Sequence, residues 1–114
     1  MTTAATQAKL WYAMRVSSMV LAVCVLVHVI TIVYAVRGGL SAAEILDRTR
    51  GNWLIGAFYG VFVVACTVHV PIGLAAIAEE WLHLRERTAL IAAQIIGVAM
   101  LVMGLRAVYG VVAG

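Results

Sequence analysis

The stretch Thr67-Val68-His69-Val70-Pro71-Ile72-Gly73-Leu74, running on to Glu79-Glu80-Trp81, decides how the chain is read. It sets one imidazole inside an apolar run from about Trp53 to Ala78, with a glycine four residues on and an acidic-aromatic cluster where the run meets water. Crossing a bilayer core takes about 20 apolar residues at about 1.5 Å rise per residue. The run is long enough, and an ionisable side chain kept at membrane depth points to function.

The rest of the chain follows the same pattern. It has 114 residues, 65% of them hydrophobic and 11% charged, a balance that excludes an ordinary soluble domain. Two further apolar runs extend from about Tyr12 to Val36 and from about Ala89 to Val112. The sequence therefore predicts an all-α membrane protein: one domain over residues 1–114, with transmembrane helices at about 12–36, 53–78 and 89–112 running up-down-up. Lys9 and Arg15 precede the first run, but it exceeds the apolar region of about 7–15 residues in a secretory signal, and no clear cleavage site follows. It is read as a retained span. Three helices enclose little interior, and in lipid they gain no hydrophobic energy by associating, so a partner is expected.

The net charge of +3 sits at the segment ends and forms no basic stripe with interleaved aromatics, which argues against a nucleic-acid partner. Lys9, Arg15, Arg85 and Arg87 would share one face, and Arg37, Arg48, Arg50 and Arg106 the other. The positive-inside rule thus leaves the orientation open. Cys24 and Cys66 fall within spans and read as small apolar residues. No Cys-x-x-Cys-His sequence is present, which excludes the usual covalent attachment of a c-type haem.

Residues 1–8 lack an apolar period and are expected to lie outside the first helix. Trp11 and Tyr12 are rings suited to the headgroup level, and Arg15 follows one turn inside. That arginine either snorkels or offers a cation to an anionic or carbonyl ligand. Deeper in the same span is His28, and two imidazoles in so small a membrane protein favour metal ligation over simple interhelical hydrogen bonds. Gly38-Gly39 marks the helix end, and Ser41-Ala42-Ala43-Glu44 has the capping-box pattern of a short interfacial helix. Asn52 is an N-cap for the second span, Gly56 and Gly60 suit close packing, and Pro71 is expected to bend the helix near Thr67. Glu79 to Thr88 reads as an exposed connection containing His83, with Thr88 capping the third span.

A b-type haem needs axial imidazoles on helices and an apolar slot for a flat ring. His69 and Gly73, four residues apart, share a helical face, and the glycine leaves room for a porphyrin. Counting about 1.5 Å per residue from either end of the spans places His28 farther from the N-terminal face than His69 by roughly 7–12 Å. Imidazoles on one iron should lie at similar depth. The expectation is therefore two haem levels, each completed by a histidine from another chain.

With these residues read, His69-Val-Pro-Ile-Gly73-Leu74 resembles the His-x-x-x-Gly-[Ile/Leu] signature in the second transmembrane helix of succinate dehydrogenase and fumarate reductase membrane anchor subunits. Arg15-Val16-Ser17-Ser18 is similar to their Arg-Val-Ser-Gly element. The resemblance implies a haem b-binding anchor of a succinate:quinone oxidoreductase in a bacterial cytoplasmic (inner) membrane. Its partners would be a flavoprotein, an iron-sulfur protein, and a second three-helix anchor or another copy of itself. Such a subunit carries no dicarboxylate chemistry of its own and passes electrons between its partners and quinone.

Carried over residue by residue, His69 becomes a haem b axial ligand, Arg15 joins the quinone pocket, and Glu80-Trp81 falls where some members place an acidic residue and a tyrosine. An indole donates one hydrogen bond and cannot relay a proton as a phenol does. Ala75 stands where many relatives have arginine, so any contact with a haem propionate must come from elsewhere. His28 matches only the anchors that carry two haems. One or two haems b are thus implied, with quinone as mobile substrate. The alternatives are a small transporter or channel, weakened by the lack of Asp or Glu inside the spans, and a purely structural membrane assembly subunit.

Overall fold

The computed structural model describes residues 3–114. They form four helices: α1 (Ala4–Gly38), α2 (Ala42–Thr49), α3 (Trp53–Trp81) and α4 (Glu86–Val112). No strand occurs among the described residues. Helices α1, α3 and α4 are each long and apolar enough to cross a membrane. The bundle measures 50 × 23 × 23 Å, longer than a hydrocarbon core of about 30 Å.

The elements begin and end for local reasons. Thr3 caps α1 by accepting the Thr6 N–H at 3.1 Å, so the helix starts at Ala4 and the expectation of a loose segment over residues 1–8 is corrected; residues 1 and 2 lie outside the described chain. Ala4, Ala5, Gln7 and Ala8 are good helix formers, and a cap outweighs their lack of an apolar period. Gly39, at φ 120°, takes a backbone conformation closed to most side chains and ends α1 through its N–H bond to the Ala35 carbonyl at 2.8 Å. Ser41 and Asn52 cap α2 and α3 as the sequence suggested, accepting the Glu44 and Ile55 N–H groups, each at 3.2 Å.

At the other end the connection is tighter than expected. Glu79-Glu80-Trp81 stay helical, and α4 starts at Glu86, so Thr88 lies inside the helix and does not cap it. The reversal is made by Leu82 to Arg85, with His83 at φ 55° and the Leu84 N–H reaching back to the Ala78 carbonyl at 3.1 Å. A left-handed residue at a helix C-terminus closes such turns, and histidine tolerates it better than β-branched residues.

Helix α3 packs against both α1 and α4, which flank it and leave a cleft between them. Apart from Val112, the buried positions are small: Ser17, Cys24, Ala65, Ala89, Ala93 and Gly97. That is how helices approach in lipid, where no hydrophobic gain drives them together. A methyl group added at Gly97 would sit 2.9 Å from Pro71 Cγ, and one at Gly104 would sit 2.6 Å from Val63 Cγ1. These two glycines set the α3–α4 approach, and α3 remains helical through Pro71. Gly56 makes a comparable contact with Val112, whereas Gly60 faces open space, so only the first of that pair packs closely.

The contacts between helices are ordered in opposite senses. Met14 lies by Gly73, Ser17 by His69 and His28 by Tyr59, so positions rising along α1 fall along α3. Gly56 with Val112, Val63 with Gly104 and Pro71 with Gly97 show the same for α3 and α4. Helix α2 lies at the end where α4 finishes: the Thr49 hydroxyl donates to the Val111 carbonyl at 2.7 Å, and the Gly51 N–H to the Val112 carbonyl at 2.7 Å.

Candidate functional site

Both imidazoles face the α1–α3 interface. On α1 the residues Ser17, Leu21, Cys24 and His28 are buried or half-buried, a spacing of three and four that forms one stripe toward α3. His69 Nδ1 lies 3.3 Å from Ser17 Oγ, whose residue is only 6% exposed. The Ser17 hydroxyl donates to the Met14 carbonyl at 3.1 Å, so its oxygen is left to accept from His69 Nδ1–H. This arrangement suits the tautomer whose Nε2 carries a lone pair. Met14 also covers Gly73, with its methyl carbon 3.7 Å from where a Gly73 Cβ would be. Met14, Ser17, His69 and Gly73 therefore form one cluster.

At the second level His28 Nδ1 lies 3.0 Å from the Tyr59 hydroxyl. The rings of Tyr59 and Phe62 stand near-perpendicular to the His28 ring at centroid distances of 5.6 and 5.7 Å. Ser17 and His28 are eleven residues apart on α1, and Tyr59 and His69 ten apart on α3. The levels are thus about 15–17 Å apart at about 1.5 Å per residue. Two nitrogens on one metal stand about 4 Å apart, twice a metal–imidazole bond of about 2 Å. In this fold His28 and His69 of the same chain cannot clamp one iron.

His28 also lines the cleft between α1 and α4, a cavity of about 1070 Å³. Its floor is α3, from Ile55 through Tyr59 and Phe62 to Cys66, its α4 wall includes Gly104 and Val108, and its end is closed by α2. Val63 opposes Gly104, so the His28–Tyr59 level falls near Val108 on α4. There α4 gives the cleft Ala107, Val108 and Val111, none of which can ligate a metal. A second cavity of about 630 Å³ lies between α1 and α3 beside Ser17 and Gly60.

The remaining sequence-predicted residues are exposed and lie toward the His69 end. The Arg15 guanidinium sits 5.8 Å above the Trp11 ring, and Glu80 and Trp81 finish α3, with Trp81 76% exposed. The partners that sequence reasoning missed are Ser17, Tyr59 and Arg48. The first was readable as a polar residue on the His28 stripe. Nothing in their local spacing marked Tyr59 or Arg48, because both matter through contacts across the bundle.

A model of the succinate dehydrogenase/fumarate reductase transmembrane subunit family matches residues 1–107. The chain belongs to that family. It is accordingly an integral membrane protein and a membrane subunit of succinate dehydrogenase or fumarate reductase, associated with that enzyme's other subunits. Neither a curated protein nor a solved structure matches the chain.

Family membership gives the two imidazoles a chemical context that can be tested against the fold. Among the described residues no group of three or more His, Cys, Asp or Glu could hold a bare metal ion. A porphyrin brings four nitrogens of its own and asks the protein only for axial ligands and an apolar slot. Each imidazole here has Nδ1 engaged by a hydroxyl of the neighbouring helix, which orients the ring, and His28 borders a cavity of adequate size. The His28 level therefore fits the group, and His69 supplies an oriented imidazole that borders neither of the two cavities.

Proposed function

We propose that this family member is a haem b-binding membrane anchor of a succinate:quinone oxidoreductase or fumarate reductase in a bacterial cytoplasmic membrane. It docks the flavoprotein and iron-sulfur subunits and passes electrons to or from quinone. The observation that carries the proposal is the pair of interhelical bonds, Ser17 to His69 and Tyr59 to His28, each of which engages Nδ1 and orients the ring, the first also favouring the tautomer whose Nε2 carries a lone pair. The level separation supports two haems, each with a second axial histidine from another chain, either a different three-helix anchor or another copy.

In this reading α1, α3 and α4 cross the membrane up-down-up, and α2 lies in the interface. His28 and His69 would hold haem b, which when bound would supply one-electron transfer. The chain's own residues do the rest. Ser17 and Tyr59 orient the imidazoles, Gly73 keeps the His69 face low, and the apolar cleft excludes water from the His28 level. Quinone sits toward Arg15 and Glu80-Trp81. Arg15 offers N–H donors to a carbonyl oxygen, Glu80 a carboxylate in reach of water, and Trp81 a single indole N–H. Chemistry at the dicarboxylate belongs to the partner subunits.

The same two bonds also serve a second reading, in which the imidazoles merely fasten α1 to α3. The reduced-minus-oxidised absorption spectrum of the purified complex separates the two. Bands of b-type haem that weaken when either histidine is replaced support the haem reading, and a spectrum without such bands leaves the structural one.

A further inference from the structure

The α1–α4 cleft has one charged side chain among its lining residues, Arg48 of α2, and no carboxylate. Arg48 is half-buried and held in place: it donates through Nη2 to the Gly39 carbonyl, and its guanidinium sits 5.6 Å from the Tyr34 ring centroid. Helix α2 is itself fixed to α4 by the Thr49 and Gly51 bonds. The cation therefore stands at the α2 end of the apolar cleft and retains further N–H donors. Tyr34 follows His28 by six residues on α1, so Arg48 stands about 9 Å from the His28 level along the axis, at about 1.5 Å per residue. An oriented cation at one end of a dry slot, with an imidazole farther in, suits a ligand that is apolar over most of its area and anionic at one edge.

We propose that Arg48 pairs with the carboxylate edge of the porphyrin that His28 ligates. The proposal rests on the reading of His28 as a haem ligand. Arg48 thereby fixes which way the ring enters the cleft. A hydrogen-bonded charge of this kind contributes about 1.5–3 kcal/mol, or about tenfold to a hundredfold in retention.

The test uses the complex containing the full chain, prepared without haem and reconstituted in detergent with either haem b or its dimethyl ester, which keeps the ring and removes both anionic charges. In the wild-type complex the His28-dependent haem should be held about tenfold to a hundredfold more tightly as the acid than as the ester. Arg48→Gln should abolish that discrimination, and Arg48→Lys should restore part of it. Because acid and ester are compared within each variant, a general loosening of α2 does not mimic the result. Discrimination that survives Arg48→Gln overturns the proposal while leaving His28 as ligand. A His28→Ala complex that keeps its full haem complement overturns the reading of His28, and the role of Arg48 with it.

Discussion

At the His69 level a buried serine, its hydroxyl hydrogen committed to the Met14 carbonyl, faces the imidazole across 3.3 Å, and the Met14 methyl lies over Gly73. At the His28 level the Tyr59 phenol at 3.0 Å and the near-perpendicular rings of Tyr59 and Phe62 contact the imidazole beside a cleft of about 1070 Å³. The same interface thus holds two histidines by different means. Ser17, with its hydrogen on the Met14 carbonyl, accepts from Nδ1–H, which favours one tautomer of His69. Tyr59 can donate or accept, so its hydrogen bond orients His28 without choosing its proton. The first level is built for one ring orientation, and the second for access to a large apolar space that α2 closes with a cation.

The largest effects should come from removing the imidazoles themselves. His69→Ala should eliminate one b-type haem and His28→Ala the other, each leaving its counterpart, as read by haem content against protein. Loss of both haems from either substitution would show that the levels are not independent and would break the comparison.

Gly104→Val tests whether the cleft matters to one level only. A branched side chain there meets Val63 and should cost about 1–3 kcal/mol by overpacking. Weakened haem retention confined to the His28 level, read by redox titration of the variant complex, is the expected outcome.

Ser17→Ala leaves His69 without its acceptor and should weaken retention of that haem by about 10–100-fold, the usual scale for losing a residue that orients a ligand. Ser17→Thr, which keeps a hydroxyl, should recover most of it. Tyr59→Phe should have the smallest effect, since the aromatic ring that packs on His28 remains and only the 3.0 Å hydrogen bond is lost. If Tyr59→Phe proves as damaging as Ser17→Ala, the phenol sets a tautomer after all and the two levels are alike.

The helices were readable because membrane spans announce themselves through long apolar runs, and Ser41 and Asn52 because caps act within three residues. The start of α1 was missed since a capped alanine-rich segment needs no apolar period. Thr88 was mistaken for a cap because the left-handed His83 turn, invisible to composition, lets α4 begin three residues earlier. Gly56 and Gly60 look equivalent in sequence, yet only Gly56 meets Val112, because their partners are chosen by the α3–α4 register.

The site divides in the same way. The two imidazoles and their unequal depths were visible from spacing, but uncertain helix ends blurred the separation to roughly 7–12 Å. Direct contacts with Ser17 and Tyr59 widen it to about 15–17 Å. The cleft could not be read at all. It arises because α1 and α4 each pack on α3, and that is a property of three helices together.

Two haem levels, one for each imidazole, are tested most directly by the haem-to-protein ratio of the complex purified with His28→Ala. Two levels predict half the wild-type ratio, with a single surviving component in the redox titration. An unchanged ratio would contradict them.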